Sequence, residues 1–208
     1  MKKMAIIKKL LGGNEKAIIE KTARIMKEGG VAIFPTETSY GIGVDATNEN
    51  AIKKIALVKQ QQEEKNISII AADLEQAKRF GKISPEAEKL AQKFMPGPLT
   101  LVVEKQPNVP DVLAEKTIAF RVSSSRIATL LCKELGNAIT ATSANLHGRP
   151  NIYSAKEAIK EFNNKVHIII DAGELPRNEP STIYDVANKR ILRNGPIKEP
   201  QIRQALGE

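Results

Sequence analysis

Residues 31–41 read Val-Ala-Ile-Phe-Pro-Thr-Glu-Thr-Ser-Tyr-Gly, and this stretch decides the fold. Residues 31–34 are a short apolar run of strand length, bounded by Gly29-Gly30 before and Pro35 after. That is the pattern of a buried strand. Three hydroxyl side chains and a carboxylate then leave the strand together, and Gly41 is expected to let the chain turn sharply. A buried strand that opens into small polar groups is where α/β sheets usually hold ligands.

Working outward, residues 5–9 are a short strand candidate. Asn14 is placed to cap a helix with Ile18, Thr22, Ile25 and Met26 on one face, ended by Gly29-Gly30. A second helix starts near Asn48, and residues 67–72 are a buried strand. Ser84-Pro85 opens a helix to about Phe94, a cap followed by proline at the first helical position. Met95-Pro96-Gly97-Pro98 is a turn. Residues 100–103 and 118–122 are strands, residues 126–135 a helix ended by Gly136, and residues 138–142 a strand. Ser154 and Glu157 have capping-box spacing. Residues 166–170, 182–186 and 190–193 are strands, the last two close enough for a hairpin. A short helix is expected at residues 200–206. Eight or nine strands thus interleave with five or six helices. The expectation is α/β: a single domain over residues 1–208, core at about 4–196, built on one twisted mixed sheet with flanking helices.

Composition narrows the function. The chain has 208 residues, 41% hydrophobic and 27% charged, a globular balance. One cysteine, Cys132, excludes an intrachain disulfide framework and a cysteine-rich zinc module. No apolar run approaches a membrane span or a signal-peptide core. A reducing cytoplasm is the expected location. The net charge of +8 fits a polyanionic partner, or simply a lysine-rich surface.

Several motifs fail. Gly41-x-Gly43-x-x-Ala46 matches a loose dinucleotide fingerprint, but the next helix starts too late and no acidic residue follows at the right distance. There is no P-loop and no Gly-x-Ser-x-Gly nucleophile elbow. His147 and His167 are the two histidines and lack metal-ligand spacing. Cys132 lies on an apolar helix face and reads as a core residue.

Polar residues at strand ends remain. Thr142-Ser143-Ala144-Asn145 closes a strand as the Thr36–Ser39 segment does, and Gly148-Arg149-Pro150 follows it. Arg121 interrupts an apolar strand, where an arginine is costly unless an anion pairs with it. With Lys59, Lys65, Arg149 and Arg193, it gives a set of cations at element ends suited to an anionic substrate such as a nucleotide.

Together with Met95-Pro-Gly-Pro-Leu-Thr-Leu101, Ala119-Phe-Arg-Val122, Pro180-Ser-Thr-Ile183 and Leu192-Arg-x-Gly-Pro196, these motifs resemble the YrdC-like family in order and over about residues 4–196. The chain is similar to its short, single-domain form. The resemblance implies an α/β fold with a basic concave cavity. It implies a nucleotidyltransferase that makes L-threonylcarbamoyladenylate and pyrophosphate from L-threonine, bicarbonate and ATP. The product serves modification of the tRNA adenosine next to the anticodon, through a downstream threonylcarbamoyl transferase. Mg²⁺ is expected with ATP rather than in a protein cage.

By matching position, the resemblance assigns Thr38, Arg121 and Ser181 to threonine, with Arg121 on its carboxylate. It assigns Lys59, Lys65, Thr117, Thr142, Ser143, Asn145, Arg149 and Arg193 to ATP, with Arg193 near the base or ribose. Lys59, Arg121, Ser143 and Asn145 form the implied catalytic set. Two departures stand out. The family's Lys-x-Arg-Pro reads Lys59-Gln60-Gln61-Gln62 here, and Ser123-Ser124-Ser125-Arg126 lacks the usual His-Pro. A glutamine supplies neither the charge nor the fork of a guanidinium. The alternative is therefore a paralogue that binds nucleotide or double-stranded RNA without making the adenylate; contact with tRNA or double-stranded RNA is a further partner expectation.

Overall fold

In the computed structural model, which describes residues 4–60, 66–146 and 148–208, the strand read from residues 31–34 forms as β2 (Ala32–Pro35). The fold is mixed α/β, as expected, but its strands sort into two mixed sheets rather than one. The first runs β1 (Ile6–Lys9), β9 (Ile168–Asp171), β2, β3 (Tyr40–Gly43), β8 (Thr142–Ser143). The second runs β11 (Arg190–Arg193), β10 (Thr182–Asp185), β5 (Leu99–Glu104), β6 (Thr117–Val122), β4 (Ile69–Ala71), β7 (Ile139–Thr140).

The division follows from side-chain alternation. Ile33, Ile169 and Ile69 point into a core shared by the two sheets. Their neighbours Ala32, Phe34, Ile168 and Ile70 point to a second core under α1 (Glu15–Lys27) and α5 (Arg126–Leu135). Strands covered on both faces read as continuous apolar runs, so the sequence pattern could not say how many sheets they form.

Residues 138–142, expected as one strand, are the join between the sheets. Ile139 and Thr140 pair antiparallel with β4, and Thr142 and Ser143 pair antiparallel with β3. Ala141 lies between, its N–H donating to the Ser68 carbonyl at 2.7 Å.

β3 was not expected. The turn lies within Thr36–Ser39, and Gly41 is inside β3, paired with Phe34. Gly41 serves close approach rather than turning: an added Cβ would lie 3.3 Å from both the Phe34 ring and the Thr36 methyl. Gly43 is tighter, with a Cβ only 2.0 Å from the Thr140 carbonyl oxygen.

The helices are α1, α2 (Glu49–Lys59), α3 (Leu74–Lys78), α4 (Pro85–Phe94), α5, α6 (Ala155–Phe162) and α7 (Glu199–Leu206). Ser84 caps α4 as expected, and Asn48, near which α2 was expected to start, caps that helix. The Asn14 carbonyl accepts from Ile18 N–H at 3.2 Å, but its side chain makes no capping bond, and its Nδ2 donates back to the Lys9 carbonyl at 3.0 Å. Ser154 makes no capping bond either, and forms an isolated bridge with Glu174 instead. The unexpected α3 is capped by Asp73, which accepts from Gln76 N–H at 2.8 Å. Among the described residues no helix is long and apolar enough to cross a membrane.

Candidate active site

A cavity of about 460 Å³ opens between the sheets. The first sheet contributes the Thr36–Ser39 turn, Gly41, and Thr142-Ser143 of β8. The second contributes Thr100 of β5, Arg121 of β6, Ile183 of β10 and Arg193 of β11, with Ser181 just before β10. Among the described residues its charged lining is Lys59, Arg121 and Arg193.

Arg121 is only 9% exposed. Its Nε lies 3.1 Å from Glu37 Oε1, but neither atom makes a well-directed hydrogen bond. Burial pushes the guanidinium pKa below its ordinary value, and the Glu37 charge pulls it back up. The terminal nitrogens have no hydrogen bond to a described residue and are not sealed from solvent. A planar donor fork of this kind fits a carboxylate or a phosphate.

Arg193 lies on the same side. Its Nε donates to the Ser181 carbonyl at 3.0 Å, and its Nη2 to Ser181 Oγ at 2.9 Å. Ser181 Oγ is also 2.8 Å from Thr100 Oγ1. Burial lowers the Arg193 pKa first, and the nearby Arg121 charge lowers it further. The arginine assigned by resemblance to the nucleotide is thus seated with the residues assigned to threonine.

Lys59 stands across the cavity in the last turn of α2, where the helix dipole favours a cation. It is 5% exposed and its Nζ donates to Thr142 Oγ1 at 2.6 Å. Ser143 Oγ bonds to Asn145 Oδ1, and Asn145 Nδ2 donates to the Arg149 carbonyl at 2.6 Å. Asn145 braces the loop that carries Ser143. On the turn, Thr38 Oγ1 lies 3.0 Å from Thr36 Oγ1, which donates to the Ser39 carbonyl at 2.7 Å.

Thr38, Lys59, Arg121, Thr142, Ser143, Ser181 and Arg193 therefore line one cavity. Asn145 and the exposed Arg149 are not in its lining. Thr117 is exposed at the far end of β6, on the face that Arg121 shares, and is not in the lining. Lys65, Gln61 and Gln62 fall outside the described residues. Sequence reasoning missed Ser68, Thr100 and Asn151 as lining residues. Ser68 had a signal, a hydroxyl inside the apolar run at residues 67–72.

Residues 24–195 match the model of the Sua5/YciO/YrdC family, described as telomere recombination. The chain belongs to the Sua5/YciO/YrdC family. A member from Pyrococcus abyssi, named threonylcarbamoyl-AMP synthase, is 37% identical over 195 residues, 91% of this chain and 57% of that protein. The chain thus spans little more than half of that relative. A member from Methanocaldococcus jannaschii is nearer in length: 32% identical over 178 residues, 85% of this chain and 84% of its own. The crystal structure of P. abyssi Sua5 complexed with L-threonine matches with a TM-score of 0.88 at 36% identity, covering 99% of this chain and 61% of that one. Family members thus share the two-sheet fold whose facing edges form this cavity.

Proposed function

We propose that the chain is an L-threonylcarbamoyladenylate synthase, a nucleotidyltransferase using L-threonine, bicarbonate and ATP. The observation that carries the reading is the Arg121 guanidinium, buried in the cavity wall with its terminal nitrogens unbonded by the described residues. Glu37 meets only the Nε edge of this buried cation, and an amino-acid carboxylate suits the two terminal nitrogens that remain. The activity named for the P. abyssi relative supports the same reading.

The chemistry suits the lining. The neutral threonine amine forms a bond to the bicarbonate carbon, the C–OH bond breaks and water leaves, giving a carbamate that is already anionic. A carbamate oxygen attacks the α-phosphorus of ATP, the bond to the β-phosphate oxygen breaks, and pyrophosphate leaves. No strong general base is required at that step. Catalysis is positioning plus neutralisation of phosphate charge. Arg121, Arg193, Ser181 and Thr38 would hold threonine. Lys59, Thr142 and Ser143 would meet phosphate oxygens, with Asn145, Arg149 and Thr117 acting on the nucleotide side from outside the described lining.

Mg²⁺ fits this reading as an ion carried by ATP. Among the described residues no group of three or more His, Cys, Asp or Glu could hold a metal, and the charged lining is cationic. When bound, it would neutralise triphosphate charge. We place the work in the cytoplasm, ahead of a tRNA threonylcarbamoyl transferase. The deciding measurement is pyrophosphate release by the pure protein with ATP, bicarbonate and Mg²⁺, with and without L-threonine. Release that depends on threonine is expected. None above the no-threonine control, from folded protein, would leave the nucleotide- or RNA-binding paralogue.

A further inference from the structure

The Ser123-Ser124-Ser125 segment, where this chain departs from its family's usual residues, is built into the site from behind. Ser123 is 1% exposed, and its Oγ donates to Glu37 Oε2. Ser123 Oγ in turn accepts from Ser125 N–H at 3.1 Å, and Thr129 Oγ1 donates to the Ser123 carbonyl at 3.0 Å. Ser125 Oγ donates to the Pro35 carbonyl at 2.9 Å, at the entry to the turn that carries Glu37. Asn178 Nδ2 donates to the Glu37 carbonyl at 2.8 Å from the other side. Glu37 is therefore fixed at its backbone and at one carboxylate oxygen, while its other oxygen meets Arg121 Nε.

This geometry is not that of an ion pair built for stability. A structural Arg–carboxylate pair closes the fork with two parallel bonds. Here the carboxylate touches only the Nε edge, and Glu37 is not in the cavity lining while Arg121 is. A buried pair with one imperfect contact adds little stability over apolar packing. It does seat a carboxylate at the Nε edge of a guanidinium that no described residue hydrogen-bonds.

We propose that Glu37, held by Ser123, is a positioning residue that braces the Nε edge of Arg121 and presents its two terminal nitrogens to the α-carboxylate of the amino-acid substrate. Ser123 thereby supplies, from β6's own C-terminal end, the support for the arginine two residues before it. The substrate identity rests on the function proposed above. The bracing itself does not.

The test separates the two. Kinetics with L-threonine and ATP varied in turn are paired with hydrogen exchange of the Arg121 Nε–H by ¹⁵N NMR, the signal being assigned by its loss in Arg121→Lys. Glu37→Gln should raise the KM for L-threonine by about tenfold, through loss of the carboxylate charge that faces the Nε edge. It should leave the KM for ATP within about twofold and speed Nε–H exchange at least about tenfold. Ser123→Ala should move both readouts the same way by about threefold, and it serves if Glu37→Gln does not fold. Glu37→Asp should restore part of the exchange protection. Unchanged exchange in both variants overturns the bracing, as does an equal rise in both KM values. Wild-type protein that ignores L-threonine overturns the substrate assignment while the exchange data still decide the brace.

Discussion

Lys59 Nζ donates to Thr142 Oγ1 across 2.6 Å, joining the last turn of α2 to the two-residue strand β8. The bond aims the lysine across the cavity, opposite Arg121 and Arg193. One end of the site thus presents an ammonium beside hydroxyls, and the other a pair of guanidinium groups. An ammonium is a point charge suited to phosphate oxygens, whereas a guanidinium fork matches a carboxylate. Lys59→Met should raise the KM for ATP about tenfold and leave that for L-threonine within about twofold. Steady-state kinetics with each substrate varied in turn checks this.

Arg121→Lys should behave as a non-conservative change. The lysine keeps the charge but loses the planar fork, so L-threonine affinity should fall on the order of 10- to 100-fold. Calorimetric titration without ATP measures it. Unchanged affinity would remove the carboxylate assignment.

Those two residues were legible for different reasons. Arg121 stands in an apolar strand and so breaks a local rule, whereas Lys59 closes a helix where a cation is expected and was singled out by the family motif. The Ser-x-Asn pair was legible by resemblance, and the structure separates its members, with Ser143 in the lining and Asn145 bracing it. What stayed hidden depended on long-range pairing. Nothing local in Tyr40-Gly-Ile-Gly43 distinguishes a turn from a strand, because its partners are Phe34 nearby and Ser143 a hundred residues on. The division into two sheets was hidden for the same reason, since Ile33 and Ile69 look alike in sequence wherever they pair. Arg193 reads as a cation at an element end and is assigned by resemblance to the nucleotide, and only the β10–β11 hairpin puts it against Ser181.

Gly43→Ala should destabilise the fold without touching the lining. The added methyl meets a backbone carbonyl that is itself held in a sheet, so neither side yields cheaply. A cost of about 1–3 kcal/mol or more is expected. At roughly 2–4 °C per kcal/mol for a chain of this size, the melting temperature should drop by about 2–12 °C. A thermal melt followed by circular dichroism is the check, and an unchanged midpoint would contradict the close approach.

Tyr40 makes alkaline stability a second probe of the turn. Its hydroxyl donates to the Gly173 carbonyl and accepts from Ala172 N–H, each at 3.0 Å. Burial chiefly raises its pKa from 10.0 to about 12. The folded state therefore holds this proton more tightly than the unfolded chain. That stability is fully present below about pH 10 and is lost as pH rises to about 12. Tyr40→Phe should be less stable at pH 8 and show a shallower decline between pH 10 and 12. Urea melts across that range measure both, and identical slopes would count against the buried phenol.

Gln61→Arg should raise the rate of threonine-dependent pyrophosphate release by several-fold if the family's missing charge limits turnover. Pre-steady-state measurement of the wild type and variant side by side decides it. No gain would mean that the present cations already suffice.

The short span from Ile139 to Ser143 has a consequence for substrate size. Because two residues serve one sheet, two serve the other, and only Ala141 lies between, the gap between those edges is bridged by covalent chain. It works as a spacer of fixed length. The sheets cannot spread at that corner to admit a bulkier nucleotide without breaking pairs on both sides. Any widening must come from the opposite rim, where Ser181 and Arg193 are held by side-chain bonds that a ligand can replace.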